Sequence, residues 1–251
     1  MRGFDDSSPF DFSYYLYSET KGLRKKRQEE GKVKVDYARI YGCRPEQVTS
    51  DPDDVFRENS DIVVFIGNIL NFTGKNLPET LKHVSDNLRL SNNNTKLPKT
   101  LKHALEHVGD LSLVSVTSAE GLELPKTIGG SLWLSSLKSA KGLELPKTIG
   151  GFLKLDSLTS AKGLILPKTI GKGLDLTSLK SAEELVLPET IVGRLDLRSL
   201  ESVNGLEKLN YAGIMGNIWL PNKLPDKDKK EVEKIKIEQE KKGIDVTFEY
   251  L

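Results

Sequence analysis

Three histidines, one cysteine and a recurrent set of serines are the residues that could carry nucleophilic or metal chemistry in this chain of 251 residues. His103 and His107 stand four apart, a spacing that puts two imidazoles on one helix face. Zinc needs three or four ligands, and neither an HExxH string nor a cysteine pair completes the set. Cys43 would need a base beside it to act as a nucleophile, and its sequence neighbourhood supplies none. Being single, it also excludes an internal disulfide framework. Ser115, Ser136, Ser157, Ser178 and Ser199 recur in register, as do Ser118, Ser139, Ser160, Ser181 and Ser202. A serine nucleophile requires a base within hydrogen-bond reach, and all three histidines lie upstream of these columns. Hydroxyls both donate and accept, so stacked serines are expected to satisfy turn backbone groups coil after coil. The glycine pairs sit at fixed places in a repeat and form neither a phosphate loop nor a dinucleotide fingerprint. No metal, no cofactor, no catalytic residue and no enzymatic activity are therefore expected.

The serine register belongs to a larger one. Four copies align without gaps at a period of 21 residues, starting at Leu124, Leu145, Leu166 and Leu187; the first reads LPKTIGGSLWLSSLKSAKGLE. Looser copies start at Leu77 and Leu97, and Ile218-Trp219-Leu220 repeats the apolar pair once more. Within each copy apolar and outward residues alternate, as in Leu132-Trp133-Leu134 and Leu153-Lys154-Leu155, the mark of a short half-buried strand. A second apolar pair, such as Leu143-x-Leu145, runs into Pro146, which cannot donate to a ladder. The pairs Gly129-Gly130 and Gly150-Gly151 are expected to give the backbone freedom to turn before the strand. One coil of 21 residues cannot bury its own leucine stripe, whereas stacked coils can. The fold class expected is a mainly β repeat solenoid of parallel strands stacked coil on coil, forming a single elongated domain.

The string Leu88-Arg89-Leu90-Ser91-Asn92-Asn93-Asn94-Thr95 resembles the strand-and-asparagine segment of leucine-rich repeats, and the LPxTIGGxLxL units resemble short bacterial variants of that family. The resemblance implies a curved solenoid whose concave parallel sheet binds other macromolecules. It covers roughly residues 62–221. One departure stands out: the place of Asn93 is taken by Val116, Leu137, Leu158, Leu179 and Leu200, so a buried asparagine ladder is missing from most of the array. A coil closer to a β-helix remains the alternative subclass.

Three regions follow. Residues 1–61 are expected to be an N-terminal cap or extension that shields the apolar run Val63–Ile66; 62–221 form the solenoid; 222–251 form a helix–strand cap. In the first repeats, Leu81 and Val84, and then Leu101, Ala104, Leu105 and Val108, stand at helical spacing, which predicts helical turns there. In the last region Asp226 is placed to cap a helix and Gly243 to end it, after which Ile244, Val246, Phe248 and Tyr250 alternate as a strand.

Lys plus Arg is 37 and Asp plus Glu is 36, a formal net charge of +1. That balance argues against a polybasic membrane binder and against a nucleic-acid partner. No apolar run reaches 18 residues. Aspartates stand early, where a secretory signal needs apolar residues. A cytoplasmic location is expected, with export by a non-classical route left open.

Binding is then the function expected of the array, for a protein or a glycan. The residue between each leucine pair must face away from the core. Those positions are Trp133, Lys154, Asp175, Asp196 and Trp219, and their outward neighbours include Phe152, Asp156, Arg194 and Arg198. They differ from copy to copy while the framework does not, and Trp, Phe and Arg dominate interface energetics. The competing expectation is an effector or accessory protein whose N-terminal 60 or so residues carry an activity or an address, with the repeats as its recruiting arm.

Overall fold

A computed structural model describes residues 30–51, 55, 60–72, 80–90 and 106–251. They form a parallel β-solenoid of about 6 turns in a single domain. At the N-terminal side lie helix α1 (Glu30–Tyr41) and strands β1 (Val48–Thr49), β2 (Val64–Phe65), β3 (Ile69–Phe72), β4 (His83–Leu90) and β5 (His107–Ser112). From β5 onward each coil contributes two short strands, and they build two stacks. One stack holds β6 (Thr127–Ile128), β8 (Thr148–Ile149), β10 (Thr169–Ile170) and β12 (Thr190–Ile191). The other holds β7 (Leu132–Trp133), β9 (Phe152–Lys154), β11 (Gly173–Asp175), β13 (Leu195–Asp196), β14 (Ile218–Leu220) and β15 (Phe248–Tyr250). Strand β5 is long enough to pair with β6 through its first half and with β7 through its second.

The 21-residue period is the register itself. Leu132 pairs with Leu153, Leu174 with Leu195, and Thr169 with both Thr148 and Thr190, all in parallel. Six turns at about 4.8 Å each make a stack about 29 Å tall. Each coil turns three times. A hydrogen bond from the Leu137 N–H to the Leu134 carbonyl closes the first corner, and one from Leu143 to Ala140 closes the second. In the second corner Gly121, Gly142 and Gly163 take positive φ of 72°, 77° and 73°, which a glycine allows at no steric cost.

The third corner corrects an expectation. Gly130 and Gly151 do not have positive φ, so the pairs at 129–130 and 150–151 are not there for left-handed freedom. Adjacent coils approach so closely that a Cβ on Gly151 would lie 2.6 Å from the Gly130 carbonyl carbon and 2.7 Å from the Ser131 nitrogen. The Gly151 N–H donates to the Gly130 carbonyl at 2.7 Å and holds the two backbones at that spacing.

The inward leucines form one continuous core. Leu132, Leu153 and Leu195 are fully buried, and so are Leu137, Leu158 and Leu179, which stand where the asparagine ladder would be. The helical turns expected in the first repeats are not found where the chain is described. Leu81 is a buried residue entering β4 and Val84 lies within it, because an extended backbone can pair with β2 and β5 where a helix could not. Leu101, Ala104, Leu105 and the asparagine string from Ser91 lie outside the described residues, and Val108 lies within β5 rather than in a helix. The serines also differ from a coil-to-coil ladder. Ser118, Ser139, Ser160 and Ser181 each accept the N–H of the residue two ahead, at 3.2 Å within their own turn. In the other column Ser157 reaches across to the preceding coil, its Oγ donating to the Ser135 carbonyl. Ser160 is exposed. Replacing it by alanine is therefore expected to cost only about 0.5–1 kcal/mol, read from the urea midpoint; a loss of several kcal/mol would place the hydroxyl in the core.

Both ends are covered. Helix α2 (Asp226–Lys241) starts after Pro225, with Asp226 and Asp228 in the first turn, where they suit the helix dipole; Asp226 does not cap it through its side chain. Val232 and Ile235 face the core. Gly243, with φ of 75°, ends the helix, and β15 then adds a parallel strand to β14. The C-terminal helix and strand fit a cap. At the other end Tyr37, Ala38 and Val48 pack on Val64 and Ile66, and β1 pairs with β2.

Candidate functional site

The β7–β14 stack turns its leucines inward and presents three columns on the opposite face. The middle column runs Trp133, Lys154, Asp175, Asp196 and Trp219, neighbour to neighbour by strand register. Parallel pairing stacks like positions one above another, so side chains 21 residues apart meet. Lys154 Nζ lies 3.8 Å from Asp175 Oδ2. Asp175 also accepts the Thr177 N–H at 3.1 Å. Asp196 is 1% exposed and receives a double hydrogen bond from Arg198, Nε to Oδ1 and Nη2 to Oδ2, both at 2.9 Å. That hydrogen bond raises the Arg198 pKa above its ordinary value. Asp175 and Asp196 are thus buried and internally satisfied rather than projecting freely. Asp156 has a buried Oδ1 without a hydrogen-bond partner.

The flanking column supplies the aromatic contacts. Phe152 and Arg194 are separated by Gly173, and the missing side chain lets them meet across that coil. A Cβ there would lie 3.1 Å from the Phe152 ring. The Arg194 guanidinium sits 5.2 Å from the centroid of Phe152 and 4.6 Å from that of Trp219, so it bridges two rings by cation–π contact. Arg198 lies 5.1 Å from the same tryptophan. Trp219 is tied down from the other side, its Nε1 donating to Glu249 Oε2 at 2.8 Å. Asn217 Nδ2 donates to the other oxygen of Glu249.

Eight of the nine residues fall into two groups, and Asp156 joins neither. Phe152, Arg194, Arg198, Asp196 and Trp219 form one connected cluster near the C-terminal cap. Trp133 is four strands from Trp219, about 19 Å along the stack, beside Lys154 and then Asp175. Sequence reasoning missed Lys172, Asn217 and Glu249. Lys172 carried a signal, since it stands where the two preceding copies have Gly130 and Gly151. Glu249 lies in the cap strand, and only the pairing of β14 with β15 sets it opposite Trp219.

Among the described residues no group of three or more His, Cys, Asp or Glu is placed to hold a metal ion. No described helix is long and apolar enough to cross a membrane. Comparison with protein families, with curated proteins and with solved structures finds no match to this chain.

Proposed function

We propose that this chain is a non-catalytic binding scaffold of leucine-rich-repeat type that recognises a protein through the outward face of the β7–β14 stack. The observation that carries the reading is the arginine held between Phe152 and Trp219. Stacking on two rings restricts a side chain that would otherwise lose much rotamer freedom on binding, so part of the ordering cost is met before a partner arrives. Aromatic residues and arginine are also the types that dominate alanine scans of interfaces. The framework around them is set by packing, whereas Trp133, Phe152, Lys154, Arg194 and Trp219 differ from coil to coil and are free to encode specificity.

The test is partner capture followed by titration. Trp133→Ala and Arg194→Ala are each expected to weaken binding by about 1 kcal/mol or more, with the urea midpoint little changed for Trp133→Ala. If both leave affinity untouched while Lys147→Glu, on a different side of the coil, abolishes it, the strand face is not the binding surface.

A further inference from the structure

The corner hydrogen bonds of the array form a relay that stops part-way. Asp110 Oδ1 accepts the Ser131 N–H at 2.6 Å, and Ser131 Oγ accepts the Phe152 N–H at 3.1 Å. One coil further on the acceptors run out, because phenylalanine, glycine and arginine occupy 152, 173 and 194. The backbone N–H groups of Gly193, Arg194, Gly216 and Asn217 have no acceptor in the described chain, although Gly130, Gly151 and Lys172 at the same corner do. These four residues line a groove of about 560 Å³.

Two cations reach the same groove. Lys172 and Arg194 line it, and among the described residues neither has a carboxylate within ion-pair distance. The Arg194 guanidinium contacts both rings by cation–π interaction, and such contacts use the π faces of the rings, not the N–H donors of the arginine. Glu249 is the groove's own carboxylate, and both its oxygens are taken by Asn217 Nδ2 and Trp219 Nε1. The groove therefore carries two cations without an ion-pair partner against one carboxylate that is already hydrogen-bonded, beside four backbone N–H groups without an acceptor. An arrangement of this kind is complementary to an oxyanion.

We infer that this groove takes a carboxylate of an acidic segment on the partner, an inference that rests on the binding role proposed above. A planar carboxylate matches the arginine fork two bonds at a time, and the Phe152 ring and Val192 beside it suit the methylene stem of a glutamate.

The experiment is an amide NMR titration of the full chain with an N-acetylated hexaglutamate peptide at constant ionic strength, beside matched titrations with inorganic phosphate and with sodium chloride. Saturable shifts are expected at Gly193, Arg194, Gly216 and Asn217. Affinity should fall about tenfold in Arg194→Gln and several-fold in Lys172→Gln, an exposed site whose substitution leaves the fold intact. It should rise several-fold in Glu249→Gln, which keeps an acceptor for Trp219 and removes a repelling charge. Shifts that do not saturate, that chloride reproduces, or that survive both cation substitutions would overturn the inference. Phosphate binding as tightly as the peptide would overturn the acidic segment as the ligand. Trp133→Ala separates the two proposals, since it should weaken partner capture and leave the hexaglutamate shifts alone. Capture that persists while the peptide shifts are absent overturns the groove and spares the binding face.

Discussion

Gly151→Ala is expected to destabilise the protein by about 3 kcal/mol or more, whereas Gly163→Ala is expected to cost only about 1–2 kcal/mol. Both are glycines of the repeat, but different physics holds them. At Gly151 the new Cβ would strike the backbone of the preceding coil, 2.6 Å from the Gly130 carbonyl carbon. That backbone is pinned by the Gly151 N–H to Gly130 carbonyl bond and by the registers of β6 with β8 and β7 with β9. Relief requires parting two coils, and that loosens the leucine core on both sides of the gap. At Gly163 a Cβ meets nothing within 4 Å, and the penalty is only that of a left-handed alanine at φ of 73°. Chemical denaturation of the two variants beside the wild type checks this. Equal losses, or a larger loss at Gly163, would mean that the coils are not in contact at the Gly-Gly corner.

A second large effect is expected from acid. His83 and His107 are opposite one another in β4 and β5, and the Tyr41 ring stacks on His83 at 4.0 Å. His83 Nδ1 is buried without a hydrogen-bond partner. Burial, then the neighbouring His107 and Lys82, push the His83 pKa down to about 4 from 6.5. The folded state thus prefers the neutral ring. Above pH 6.5 both folded and unfolded chains carry it neutral, and the stabilisation is complete. As pH falls, the unfolded chain takes up a proton first, so stability is lost between about pH 6.5 and about pH 4. Allowing for partial exposure of the ring, the loss is about 2–3 kcal/mol. Urea midpoints at pH 7.5 and pH 4.5 should show it, and His83→Gln should flatten the profile over that interval. An unchanged pH slope in His83→Gln would assign the acid sensitivity to carboxylates instead. Helix α1 is expected to loosen over the same interval, because Tyr41 belongs to that helix and rests on the ring that must take the charge.

Most of the solenoid could be read from the chain because its determinants are local and repeated. The alternation at Leu132-Trp133-Leu134 and its copies states which side chains face inward, and the ungapped period of 21 states which residues will lie beside one another. From those two facts came the parallel register, the leucine core and the line of outward residues. Helical spacing at Leu81 and Val84 misled, because two apolar residues three apart fit either a helix turn or the edges of an extended segment. Whether β4 forms depends on partners β2 and β5, which no local pattern contains.

The cluster at the C-terminal end divides the same way. Its members were visible in the sequence as outward residues: Phe152, Arg194, Arg198 and Trp219. That Asp196 is consumed by Arg198 was not visible, because Asp196 lies on β13 and Arg198 in the turn after it, and only rotamer and burial decide whether they meet. Lys172, Asn217 and Glu249 were out of reach for a related reason. Glu249 comes from a cap outside the repeat, and its place opposite Trp219 depends on the docking of α2 and β15. The sequence by itself determined the coil, its period and the facing of its side chains, since periodicity is a property of the backbone and of apolar spacing. Only the tertiary structure decided how closely the Gly-Gly corners approach, which outward charges neutralise one another, and which donors are left without acceptors. Apart from the Asp196–Arg198 pair, two positions apart and decided by rotamer and burial, those outcomes depend on distances between residues about 21 or more positions apart, and such distances are set by packing rather than by any pattern along the chain.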